Sequence, residues 1–155
     1  MLRKWFCALL ILALCLPAVW AAGGDDILGL WYNQEKDAKI EVVRCGDRYC
    51  GKISWMKNPD YPADSTEGKP GTPKLDHNNP DPAMRRNTRL GLEIVKNMAY
   101  AGENKWDDGQ VYDPNNGKTY SAKFTLIDPD NLDLRGYIGI SLFGRTSHWS
   151  RKPWG

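Results

Sequence analysis

The densest grouping of side chains able to move a proton or hold a cation is Asp76-His77-Asn78-Asn79-Pro80-Asp81-Pro82. An aspartate beside an imidazole can serve as a general base, and Asp76, His77 and Asp81 offer oxygen and nitrogen ligands to a metal. The same residues have a purely conformational use, because Asp, Asn and Pro packed this densely make side-chain-to-backbone turns that hold a loop in shape. A second oxygen-rich run, Asp113-Pro114-Asn115-Asn116-Gly117, lacks the alternating acids and distal glutamate of a calcium loop and reads as a hairpin turn. Beyond these the inventory is thin. There is no nucleophile elbow, no glycine-rich phosphate loop, and no pair of histidines at metal spacing, His77 and His148 being far apart. The sequence predicts no catalytic residue, no metal site and no cofactor.

Arginines are the remaining candidates. Arg85, Arg86 and Arg89 form a basic cluster, and with Arg44, Arg135 and Arg145 they could meet an anionic head group. If Ile40 and Val42 face the interior of a sheet, Arg44 shares their parity, and one cation would stand near the mouth of an apolar cavity. Gly136, Gly139 and Gly144 either leave room for a ligand or mark bends in strands. Cys45 and Cys50 flank a tight turn in Arg44-Cys45-Gly46-Asp47-Arg48-Tyr49-Cys50. In an oxidising compartment they are expected to be bonded, which stabilises so short a loop by roughly 2 kcal/mol.

These groups must be positioned by strands. Period-two alternation runs through Lys39–Val42, Lys52–Trp55, Tyr120–Leu126 and Leu132–Arg135, the pattern of half-buried antiparallel strands. Turns are expected at Cys45-Gly46-Asp47, Asn115-Asn116-Gly117 and Asp128-Pro129-Asp130-Asn131. With Gly29–Tyr32, a strand within Leu92–Tyr100, and Ser141–Arg151, the chain has about eight strands, the content of a small closed barrel or sandwich. Lys57 to Arg89 interrupts them with six of the ten prolines and little apolar material. Loops of this length tend to be lids, binding loops or disordered segments. Inside it, Asp81 as N-cap and Pro82 as first residue predict one short helical turn reaching Met84 to Thr88.

The first 22 residues predict the compartment. Arg3 and Lys4 precede an apolar run from Trp5 to Leu16, Pro17 breaks it, and Val19-Trp20-Ala21 or Trp20-Ala21-Ala22 supplies a small residue for cleavage. The run is shorter than the roughly 20 residues that span a bilayer, and Leu14 before Cys15 is unlike the small residue that precedes a lipidated cysteine. Residues 1–22 are therefore expected to be a cleaved signal peptide and residues 23–155 a single β-barrel domain, periplasmic or secreted. Losing Arg3 and Lys4 takes the 21 lysines and arginines to 19, level with 19 aspartates and glutamates. The mature chain lacks the basic footprint of a nucleic-acid binder.

Gly29-Leu30-Trp31, with arginines at Arg145 and Arg151 near the C-terminus, resembles the lipocalin and calycin arrangement, which implies that Trp31 packs under an arginine of the last strand. A resemblance to the domain of unknown function 2147 family covers almost all of the mature chain. It is carried by Ile27–Trp31, Tyr49–Trp55, Asp76–Pro82, Gly109–Tyr120 and Arg135–Arg145, in the same order. The resemblance implies an exported, all-β, lipocalin-like barrel and no established activity. An eight-stranded barrel is either filled by side chains or holds one small ligand. The first outcome points to a protein-interaction module that meets a partner through the Lys57–Arg89 loop. The second, taken as the leading expectation, is a binding barrel for a small apolar or amphiphilic molecule. Its tail would lie among Trp31, Trp55, Phe124 and Leu126, its head at Arg44, Arg135 or Arg145, with the loop as lid.

Overall fold

The computed structural model describes residues 22–153. The leader, with Cys7 and Cys15, lies outside the described residues apart from Ala22. Eight antiparallel strands close a barrel in which each pairs with the next in sequence and the last returns to the first. They are β1 (Gly29–Tyr32), β2 (Ala38–Cys45), β3 (Arg48–Met56), β4 (Glu93–Gly102), β5 (Lys105–Asp113), β6 (Lys118–Asp128), β7 (Asn131–Tyr137) and β8 (Arg145–Ser150). Short 3₁₀ turns occupy Gly24–Ile27, Pro82–Met84 and Ser141–Phe143.

Alternation builds the wall as expected. In β6, Ala122, Phe124 and Leu126 are buried while the residues between them are less so. Strand β5 has no clean alternation, because the register slips between Trp106 and Gly109 and Asp108 takes a positive φ of 57°. That bulge is why the segment does not read as a strand. Gly109 lies so near Met98 that a Cβ there would sit 1.8 Å from its Sδ. The turn between β2 and β3 carries the Cys45–Cys50 disulfide, with Cα atoms 5.9 Å apart. The predicted strand over Ser141–Arg151 is shorter than expected, since its first residues form a 3₁₀ turn.

One end of the barrel is plugged. Gly24–Ile27 crosses it, Ile27 is fully buried, and the Trp31 and Trp106 indole N–H groups donate to the carbonyls of Ile27 (2.8 Å) and Gly24 (3.1 Å). Ala22 is buried in the same cluster, and its carbonyl accepts from the Tyr100 hydroxyl at 2.5 Å. The β1–β8 seam is only one residue pair, Tyr32 with Ser150, so side chains finish what the ladder leaves open. The Arg151 guanidinium lies 4.0 Å above the Trp31 ring and donates to the carbonyls of Asp26, Leu28 and Pro129. Of the two arginines the sequence offered for this contact, it is Arg151.

Candidate functional site

The opposite end is open. Hairpin 33–37, the 57–92 loop, the 114–117 turn and the 138–144 loop surround a cavity of about 870 Å³. Its floor is apolar, formed by Ile40, Ile53, Ile94, Leu134 and Trp149, and Phe124 backs Trp149 from the filled half with ring centroids 5.6 Å apart. Its rim carries both signs of charge, but the signs are not equally engaged. Glu35 and Asp37 accept from the Asn33 amide, Asp113 accepts from Asn115 N and the Asn116 amide, and Arg89 donates to Asn115 and to the carbonyls of Leu75 and Pro114. Lys74 and Arg145 line the cavity with no side-chain partner among the described residues, so these two cations are open to a ligand, although Glu35, Asp37 and Asp113 keep their charge and balance Lys74, Arg89 and Arg145 around the rim.

The 57–92 loop is ordered by its own contacts. Tyr61 is buried in it, its hydroxyl accepts from Leu75 N at 3.0 Å, and isolated bridges join Asp60 to Pro73 and Leu75 to Thr88. Asp76 ties it to the barrel. This carboxylate is fully buried and accepts from the Tyr112 hydroxyl and the Asn79 amide, both at 2.7 Å. Burial, then the Asp76 hydrogen bond, holds the Tyr112 phenol well above the usual tyrosine range. The Asn78 amide donates to the carbonyls of Pro114 and Asn115, and Gly117 comes so close that a Cβ would lie 2.0 Å from the Asn78 oxygen. The Asp113–Gly117 turn is thus the seat of the loop.

Asp76, His77 and Asp81 are not brought together around a common point. Asp81 caps the short 3₁₀ turn through Ala83 N (2.9 Å), as its N-cap role predicts, and His77 Nδ1 is buried with no hydrogen-bond partner among the described residues. Among the described residues no three His, Cys, Asp or Glu side chains are placed to share a metal.

Of the residues expected to line a ligand site, the structure places Arg145 on the cavity and the others elsewhere. Trp31 and Leu126 belong to the filled half of the core, and Phe124 backs the floor. Trp55 points outward: the pairing steps from Lys39 with Trp55 to Ile40 with Ile53, so Ser54 is the extra residue of a bulge that turns the next side chain over. There it meets the Tyr32 ring edge-on at 6.0 Å, with the Lys39 ammonium 5.4 Å from its own ring. Arg44 stands at the plugged end, exposed, with Nε 2.7 Å from Asp25, which holds that carboxyl below its usual range. Arg135 fixes the 138–144 loop through the Ser141 and Leu142 carbonyls and the Thr146 hydroxyl. The expectation missed Ile53, Ile94, Leu134, Trp149 and Lys74. Leu134 was legible as an inward position of an alternating strand, and Trp149 lies in the strand expected over Ser141–Arg151, but nothing local says which end of a barrel is open.

Among solved structures, the chain is similar to protein HP1028 from the human pathogen Helicobacter pylori, described as belonging to the lipocalin family. The TM-score is 0.66 at 19% identity, over 81% of this chain and 82% of that one. The likeness shows a lipocalin-like fold. A search of curated proteins finds no match. The model of a family described as "Uncharacterized protein conserved in bacteria (DUF2147)" matches residues 29–151, and the chain belongs to that family.

Proposed function

We propose that this protein is an exported carrier of one small amphiphile with an anionic head group. The observation that carries the reading is the mouth cavity, whose apolar floor lies below a rim where Lys74 and Arg145 are cations without side-chain partners among the described residues. Its volume of about 870 Å³ falls in the usual range of ligand pockets, about 300–1,000 Å³. The tail would rest on Ile40, Ile53, Ile94, Leu134 and Trp149, and the head at Arg145 and Lys74. Export is supported by the leader sequence. The buried position of Ala22 favours cleavage before it rather than after it.

A long-chain acid and the alcohol of equal length test the reading by calorimetric titration. Apolar burial at about 25 cal/mol per Å², less ordering costs, is enough for roughly micromolar binding of one molecule per barrel. Arg145→Glu should weaken the acid and spare the alcohol, while Leu134→Trp, filling the floor, should weaken both. If neither ligand binds at concentrations far above micromolar, the reading fails. The interaction-module reading would then turn to the second groove, beside the 57–92 loop, where Met84 and Leu90 are exposed.

A further inference from the structure

The loop joining β7 to β8, Ile138-Gly139-Ile140-Ser141-Leu142-Phe143-Gly144, carries the most exposed large apolar side chains among the described residues. Ile138, Ile140, Leu142 and Phe143 are 70%, 59%, 75% and 80% exposed, while no other large apolar residue described passes the 55% of Ile127. Single exposed apolar residues are ordinary on a protein surface; four in one loop mark a contact site.

The loop is held in this presentation. Arg135 donates from Nε to the Ser141 carbonyl (2.7 Å) and from one terminal nitrogen to the Leu142 carbonyl (3.1 Å), while the other reaches the Thr146 hydroxyl (2.9 Å). Gly144 lies against Gly136, so that a Cβ would stand 2.7 Å from the Gly136 oxygen. Backbone and guanidinium together turn the side chains toward solvent.

Size, charge and place decide the occupant that covers them. A stable dimer buries about 800 Å² per partner, more than one seven-residue loop supplies. Beside the apolar tip stands Arg145, a cation without a partner among the described residues, while the rim acids Glu35, Asp37 and Asp113 belong to the 33–37 hairpin and the 113–117 turn, and an apolar tip next to such a cation suits the interface of an anionic bilayer. The loop is also the lip of the cavity, because Ile138, Phe143 and Arg145 line it. Whatever covers the loop faces the opening through which a ligand must pass. We propose that the 138–144 loop docks the barrel, mouth first, on the surface of an anionic phospholipid bilayer, from which the cavity draws its amphiphile. The choice of occupant rests on the carrier reading, and the docking is measured apart from it.

The test is flotation of the mature protein with vesicles of phosphatidylethanolamine and phosphatidylglycerol. Ile140 and Leu142 do not line the cavity, so the double variant Ile140→Asp, Leu142→Asp separates docking from ligand uptake. The expected result is co-flotation of the unmodified protein, at least a tenfold loss of vesicle affinity in the double variant with unchanged melting and unchanged long-chain acid binding, and no loss for Ile127→Asp at the plugged end. The proposal is overturned if the unmodified protein stays unbound at millimolar lipid, or if the double variant floats equally well. It is also overturned if light scattering finds a dimer that the double variant splits, which would make a second copy the occupant. Acid binding without vesicle binding would remove the docking alone, and vesicle binding without acid binding would remove the carrier reading alone.

Discussion

Replacing Asp76 by alanine should release the 57–92 loop from the barrel wall at a cost the structure lets one work out. The carboxylate is fully buried and serves two donors, the Tyr112 hydroxyl and the Asn79 amide. Without it the buried hydroxyl keeps no acceptor, a loss of about 1–3 kcal/mol, and the half-buried Asn79 amide loses a bond to a charged group but can turn toward water. The sum is about 2–4 kcal/mol, or roughly 10 °C in melting temperature for a domain of this size. Asp76→Asn should lose less, since one oxygen still accepts from Tyr112 while its amide faces that of Asn79, whose own oxygen is held by Asp81 N. Equilibrium urea unfolding measures the loss, and limited trypsin digestion at Lys74 and Arg86 reports release of the loop. The raised Tyr112 pKa adds a pH signature. The folded phenol keeps its proton where the unfolded chain loses it, so the Tyr112 contribution is complete below about pH 10 and declines as pH rises further. Tyr112→Phe should remove that part of the alkaline slope. An alanine variant within 0.5 kcal/mol of the parent, with the loop cut no faster, would refute the clamp.

Cys45→Ser should lower stability by roughly 2 kcal/mol in urea unfolding, the chain-entropy value for a loop this short, and leave ligand binding intact because the disulfide sits at the plugged end. Gly117→Ala should cost about 1–3 kcal/mol, since the residue has a φ of 71° and its new methyl would meet the Asn78 carbonyl; trypsin should then cut the 57–92 loop faster. Arg151→Leu removes the cover of Trp31 and a donor to three carbonyls across the seam, and should lower stability by about 2–4 kcal/mol by calorimetry while sparing the mouth.

How much of this was legible from the chain differs from element to element. Alternation at Tyr120–Leu126 and Leu132–Arg135 disclosed β6 and β7, and turn chemistry placed the hairpins at Cys45–Asp47 and Asn115–Gly117, because these depend on neighbours within a few residues. The two cysteines could be paired for the same reason. Strand β5 escaped because the bulge at Asp107–Asp108 breaks the alternation, and Trp55 was assigned to the interior because a bulge at Ser54 reverses the parity of the next side chain.

The family motifs and the period of the strands were enough to expect a lipocalin-like barrel of about eight strands, the Cys45–Cys50 disulfide, and an arginine over Trp31. Which end is plugged and which is open depends on where Gly24–Ile27 and the 57–92 loop come to rest, and those are contacts between segments far apart in sequence. Arg44 shows the consequence: its parity with Ile40 and Val42 is written in β2, but its height along the barrel is not, and at the plugged end it finds Asp25 instead of a cavity. Arg145 and Lys74 stand at the mouth without side-chain partners among the described residues, while the rim acids Asp37 and Asp113 are held by Asn33, Asn115 and Asn116 within their own turns. Local pattern determines which face of a strand a side chain occupies, whereas only tertiary packing decides what stands opposite that face and which charges are left unpaired.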